Sequence, residues 1–133
     1  MRILRILVAA LVLLGCGQKP QLVARQALDK TATSLKAVGL TIVDAYGNAK
    51  TADEFYALED ARMAWKVARE TLLATEAALD LWEATGNVDS FASSAGDLYT
   101  ALRRLISVCK DAGVPTPKTL DDVLALADQA RRM

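Results

Sequence analysis

Histidine is absent from all 133 residues. That removes the commonest general base and the commonest metal ligand, and with them any Ser-His-Asp or Cys-His catalytic arrangement. Only two cysteines occur, Cys16 and Cys109. No phosphate-cradling glycine loop is present, because the seven glycines fall mostly at helix ends, with Gly39 and Gly96 the exceptions. No long Pro, Gly or Ser tract occurs, and 53% of the residues are hydrophobic, so the chain should fold. Charge of one sign is also missing: 16 basic side chains stand against 16 acidic. A nucleic-acid binder needs clustered positive charge to displace counterions, so that class is disfavoured. No run of alternating apolar residues bounded by turns suggests a strand. What remains is a chain rich in alanine and leucine, both good helix formers, of a length that suits one domain.

The first sixteen residues are organised differently from the rest. Arg2 and Arg5 precede an apolar run of nine residues, Ile6 to Leu14. A spanning helix needs roughly 20 apolar residues, so this run is too short to be one, but it fits a signal-peptide core. It ends in Leu13-Leu14-Gly15-Cys16, after which the chain turns polar. That tetrapeptide resembles the lipobox of bacterial lipoproteins: aliphatic, small or aliphatic, small, then an obligatory cysteine. Leu14 departs from the more usual alanine or serine. The resemblance covers residues 1–16 only. It implies cleavage between Gly15 and Cys16 and diacylglycerol on the Cys16 sulfur, often with an acyl group such as palmitate on the new amine. Two or more chains, at about 0.8 kcal/mol per buried methylene, give a durable anchor.

The expected organisation is therefore a signal peptide (1–15), a lipidated cysteine with a short tether (16–21) and a helical domain (22–133). Cleavage would leave 14 basic against 16 acidic side chains. A lipidated Cys16 cannot pair, which leaves Cys109 as a lone thiol. Its place in a helical pattern between Leu105 and Ala112 reads as core, and no paired-cysteine zinc site can form. The location implied is the cell envelope, and the periplasmic face of the outer membrane if the host is Gram-negative, since Gly17 replaces the aspartate that signals retention.

Helical periodicity divides the mature chain. Leu28, Leu35 and Ile42 recur every seven residues, with Thr31, Val38 and Ala45 between them, which predicts a helix from about Gln21 to Tyr46, stopped by a left-handed Gly47. Thr51 with Glu54 reads as a capping box for a long second helix, about Ala52 to Thr85. Its seam runs Leu58, Ala61, Trp65, Ala68, Leu72, Thr75 and on to Leu79 and Trp82, with steps of three and four. A second apolar line, Met63, Val67, Ala74, Ala78 and Leu81, makes this helix either the central element or one that meets another protein. A third helix starts near Ser90 and stops at Gly113, and Thr119 is expected to cap a short fourth one. The fold class is all-α: an antiparallel three-helix bundle with a short fourth C-terminal helix, or a loose four-helix bundle.

Candidate sites are few. Glu76, Asp80 and Glu83 line one side of the second helix at i, i+4 and i+7. Oxygen ligands for calcium could look like this, but a solvated face is the commoner outcome, and no metal or other cofactor is expected beyond the lipid on Cys16. Trp65 and Trp82, 17 residues apart on one seam with Leu72 and Leu79, are either core anchors or the lining of an apolar pocket or interface. The functional expectation is a non-enzymatic, lipid-anchored envelope protein. It would meet an envelope protein partner at the membrane surface or self-associate, and exclusion or immunity lipoproteins are a subclass of this reading. The alternative is a binding module for an apolar small molecule or lipid within the bundle.

Overall fold

A computed structural model describes residues 20–124, so the expected signal peptide and lipobox, with Gly15 and Cys16, lie outside the described residues, as do residues 125–133. Among the described residues every regular element is an α-helix: α1 is Pro20–Asn48, α2 is Ala52–Thr85 and α3 is Asp89–Asp111. A fourth helix, α4, covers 118–124 up to the edge of the described residues. No described helix is long and apolar enough to cross a membrane.

The α2 boundaries fall where their caps place them. Thr51 is extended (φ −121°, ψ 157°) and its hydroxyl accepts from the Glu54 amide at 3.2 Å. Glu54 answers by accepting from the Lys50 amide at 2.9 Å, one residue earlier than a standard box. At the other end Gly86 takes the left-handed conformation (φ 74°) and its amide reaches the Trp82 carbonyl at 2.8 Å. After α3 the chain passes through right-handed Ala112 to Gly113 (φ 72°), whose amide reaches the Lys110 carbonyl at 3.2 Å.

Three expectations are corrected. Gly47 does not have a positive φ and makes no left-handed stop; α1 continues through it to Asn48, whose side-chain amide donates to the Asp44 carbonyl. Pro20 and Gln21, expected to belong to the tether, are the first residues of α1. Proline is tolerated in a first helical turn, where its missing N–H would have no partner. Thr119 lies inside α4, which begins at residue 118, and its hydroxyl pairs instead with Ser34 of α1 at 2.6 Å.

The second helix is central. It packs against both α1 and α3, whose backbones do not approach each other. Seven of its eight predicted seam residues are buried, and Trp65 is half-buried. Trp82 stacks on Phe91 of α3 with ring centroids 5.2 Å apart. Thr75, fully buried, places its hydroxyl 2.8 Å from the Thr71 carbonyl and 3.1 Å from that of Ser94, which ties α2 to α3. The chain beyond α3 completes the core: Val114 and Leu120 are buried, and the Ser34–Thr119 pair fixes α4 on α1. Cys109 is buried in the same core, and desolvation pushes its thiol up to about 11.

Candidate functional site

The side of the α1–α2 pair that α3 and α4 leave uncovered carries a groove of about 770 Å³. Its floor is apolar, made by Leu35, Gly39 and Ile42 from α1 and Trp65 and Leu72 from α2. Leu40, Val43 and Leu73 form its lips and are half or more exposed. Four cations, Lys36, Arg62, Lys66 and Arg69, border it against one carboxylate, Glu76.

Local sequence explains how the groove is built. On α1, Lys36, Gly39, Leu40 and Val43 fall at spacings of three and four, which puts them on one flank, beside the buried Leu35–Val38–Ile42 face. Gly39 is the keystone of the floor. A Cβ built there would lie 2.9 Å from Trp65 Cζ2 and 3.0 Å from Cε2, so the indole ring lies directly against the bare backbone. In that position the Trp65 Nε1–H donates to the Leu35 carbonyl at 2.6 Å. Arg69 covers the outer side of the same ring, its guanidinium carbon 5.5 Å from the ring centroid.

Two polar contacts tie α1 to α2, one at the Tyr46–Arg62 end of the groove and one beyond the residues that line it. At one, Tyr46 donates to Glu59 at 2.6 Å, and Glu59 also accepts from Arg62 at 3.1 Å. Tyr46 and Arg62 hold the Glu59 carboxyl below its ordinary range, while burial and the Glu59 carboxylate raise the Tyr46 phenol. At the other, Arg25 bridges Asp80 at 2.5 Å and Glu83 at 3.2 Å. These contacts raise the Arg25 guanidinium further, Asp80 contributing most. Asp80 and Glu83 thus serve as a clamp on α1. No group of three His, Cys, Asp or Glu side chains that could hold a metal occurs among the described residues.

The four residues expected to share a pocket or interface are divided. Trp65 and Leu72 lie in the groove, whereas Trp82 and Leu79 are buried, Trp82 in its stack with Phe91. The reason is angular: seventeen residues rotate a helix by about 1,700°, which leaves the two indoles roughly 100° apart around α2. The expectation that all four act together is therefore corrected.

A second surface lies on the outward side of α2. Of the second apolar line only Ala78 is buried; Met63, Val67, Ala74 and Leu81 are exposed. Lys36, Leu40 and Val43 were not singled out in the sequence, where they look like ordinary solvent-facing residues of α1. Gly39 did carry a signal, since a mid-helix glycine costs about 1 kcal/mol relative to alanine and needs a reason.

Comparison with protein-family models, curated proteins and solved structures finds no match.

Proposed function

We propose that this chain is a lipid-anchored, non-enzymatic envelope protein whose α1–α2 groove docks an amphipathic helix of an envelope protein partner. The observation that carries this reading is the groove's charge and shape. An apolar floor between two helices suits the apolar stripe of a third. Arg62 is already paired with Glu59, and the three other bordering cations, Lys36, Lys66 and Arg69, against the one lining carboxylate, Glu76, call for acidic residues flanking that stripe, since opposite potentials steer such a partner into register. Exclusion or immunity proteins are one way such a module is used.

The helices support an antiparallel order. Arg25 near the start of α1 meets Asp80 and Glu83 near the end of α2, while Tyr46 near the end of α1 meets Glu59 near the start of α2. Short connections at 49–51 and 86–88 agree with it. We read the domain as an antiparallel three-helix bundle closed by the short fourth helix.

The anchor at Cys16 rests on the lipobox resemblance. Clickable palmitate should label the wild type and not Cys16→Ala, and an unlabelled wild type would remove the anchor. For the groove, a photocrosslinker at Leu40 in intact cells should give an adduct that maps to an acidic amphipathic helix. The adduct should vanish when Lys36 and Arg69 are replaced by glutamate. Persistence of the adduct in that variant would overturn the groove reading.

One observation favours the alternative of an apolar or lipid ligand: a groove of about 770 Å³ with a partly exposed indole falls in the range of small-molecule sites. Trp65 fluorescence would respond to such a ligand and Trp82, in the core, would not. Titrating Trp82→Phe with envelope lipid vesicles separates the two readings, since a protein-docking groove gives a flat signal.

A further inference from the structure

The exposed line on α2 keeps Met63, Val67, Ala74 and Leu81, leaves out the buried Ala78, and takes in Glu70 and Ala77. Met63, Val67, Glu70, Ala74, Ala77 and Leu81 follow one another at steps of four, three, four, three and four, and all six are exposed. This is the repeat of a coiled-coil seam, pointing away from the core of its own chain. The two large side chains at its ends, Met63 and Leu81, are each about half exposed (50% and 49%), as is Val67 (49%).

The seam is symmetric about residue 72. Met63 is as far from that point as Leu81, Val67 as far as Ala77, and Glu70 as far as Ala74. Turned end for end, the seam meets itself in matching layers. We propose that a second copy of this chain docks on the outward face of α2, the two α2 helices antiparallel and crossing at residue 72.

Charge selects both the occupant and the direction. In the antiparallel pair the flanking positions bring Lys66 opposite the partner's Asp80, twice by symmetry, and Leu73 opposite the partner's Leu73. Lys66, Asp80 and Leu73 are all exposed. Asp80 keeps a free oxygen for this, since Arg25 takes only one. A parallel, in-register pair would instead bring Glu70 against Glu70 in one layer and leave Lys66 beside Thr71. Antiparallel docking sets Glu70 against the small Ala74, where its stem can lie along the seam and its carboxylate reach water. The groove offers no such self-match, because its cationic border would face a copy of itself.

The proposal does not rest on the groove reading, although Lys66 and Leu73 also line the groove, and its test uses the full chain in cells. Leu73→Cys puts the new thiol on the two-fold axis, so mild oxidation should give a covalent homodimer on a non-reducing gel. The wild type, whose Cys109 is buried and whose Cys16 is blocked by the expected lipid, should not. Met63→Cys should give none with itself, because its two copies would be 18 residues apart along the pair, roughly 27 Å at 1.5 Å per residue. A disulfide needs Cα atoms within about 7 Å. Co-expressed with Leu81→Cys, it should give the mixed dimer. Lys66→Glu added to Leu73→Cys should abolish the crosslink, and Glu70→Ala should increase it. No homodimer from Leu73→Cys, with helical circular dichroism intact, would overturn the proposal, as would self-crosslinking of Met63→Cys at the level of Leu73→Cys. An adduct from Leu73→Cys to another protein alone would assign the face to a different occupant and overturn it as well.

Discussion

Two glycines in the middle of helices should respond in opposite directions to the same substitution. For Gly96→Ala nothing lies within 4 Å of the added methyl, so only the backbone matters. Alanine restricts the unfolded chain and favours helix, a gain of about 0.5–1 kcal/mol. Gly39→Ala has the same intrinsic gain but drives its Cβ to 2.9 Å from the Trp65 ring, several tenths of an ångström inside ordinary contact. The indole cannot yield freely, held as it is by the 2.6 Å bond to the Leu35 carbonyl and by Arg69 on its outer side. Overpacking of this kind costs about 1–3 kcal/mol, and loss of the indole hydrogen bond about 1 more. The net expectation is destabilisation by about 1–3 kcal/mol, read as a lower urea midpoint by circular dichroism. Trp65→Phe removes the atoms that collide, so Gly39→Ala should become neutral or stabilising in that background, a coupling that a double-mutant cycle measures. Stabilisation by Gly39→Ala equal to that of Gly96→Ala would refute the seating of Trp65 on α1.

Other contacts give equally direct tests. Thr51→Ala removes the acceptor for the Glu54 amide and should cost about 1 kcal/mol of unfolding free energy, with hydrogen exchange faster in the first turn of α2. The Glu59 carboxyl is held below its ordinary value, so its contribution is complete above the usual glutamate range and is lost as pH falls through the lowered value. Acidification should therefore lower the melting temperature more in the wild type than in Glu59→Gln. Cys109 is buried with its thiol raised to about 11, so iodoacetamide should modify it at neutral pH only after unfolding, as mapped by peptide mass spectrometry. Leu120→Ala empties a fully buried position and should cost about 2–5 kcal/mol, which would identify α4 as part of the core and not an appendage.

The expected bounds of α2, about Ala52 to Thr85, agree with the structure because a capping threonine and an unbroken three-four repeat coincide there, and Gly86 follows with a positive φ. The end of α1 was less legible. Gly47 can adopt a left-handed stop but does not have to, and the choice depends on Asn48 bonding back to Asp44. Thr119 shows a similar ambiguity, since a threonine before an apolar stretch reads as a cap whether its hydroxyl serves its own helix or a distant one. Its true partner, Ser34, is 85 residues away. The groove was legible only in part. Trp65 and Gly39 were visible as unusual residues, but their meeting depends on how α1 and α2 are registered. That register is fixed by pairings such as Arg25 with Asp80 and Glu83, which no local pattern announces.

The groove and the outward seam are not independent, because Lys66 and Leu73 belong to both. Lys66 borders the groove and, in the self-docked pair, faces the partner's Asp80; Leu73 forms a lip of the groove and sits on the two-fold axis. A second copy seated on α2 therefore removes one of four cations and one of three apolar lips from the surface offered to an acidic helix. Any such overlap is a coupling free energy, and it is reciprocal: whatever factor self-docking takes from the groove's affinity, groove occupancy must take from self-docking. Arg62 and Arg69, which border the groove but lie outside the seam, provide the discriminating substitutions. Arg69→Glu should weaken groove binding and leave the Leu73→Cys crosslink in place, whereas Lys66→Glu should weaken both. A Lys66 variant that lost only one of the two would show that the surfaces do not share that side chain.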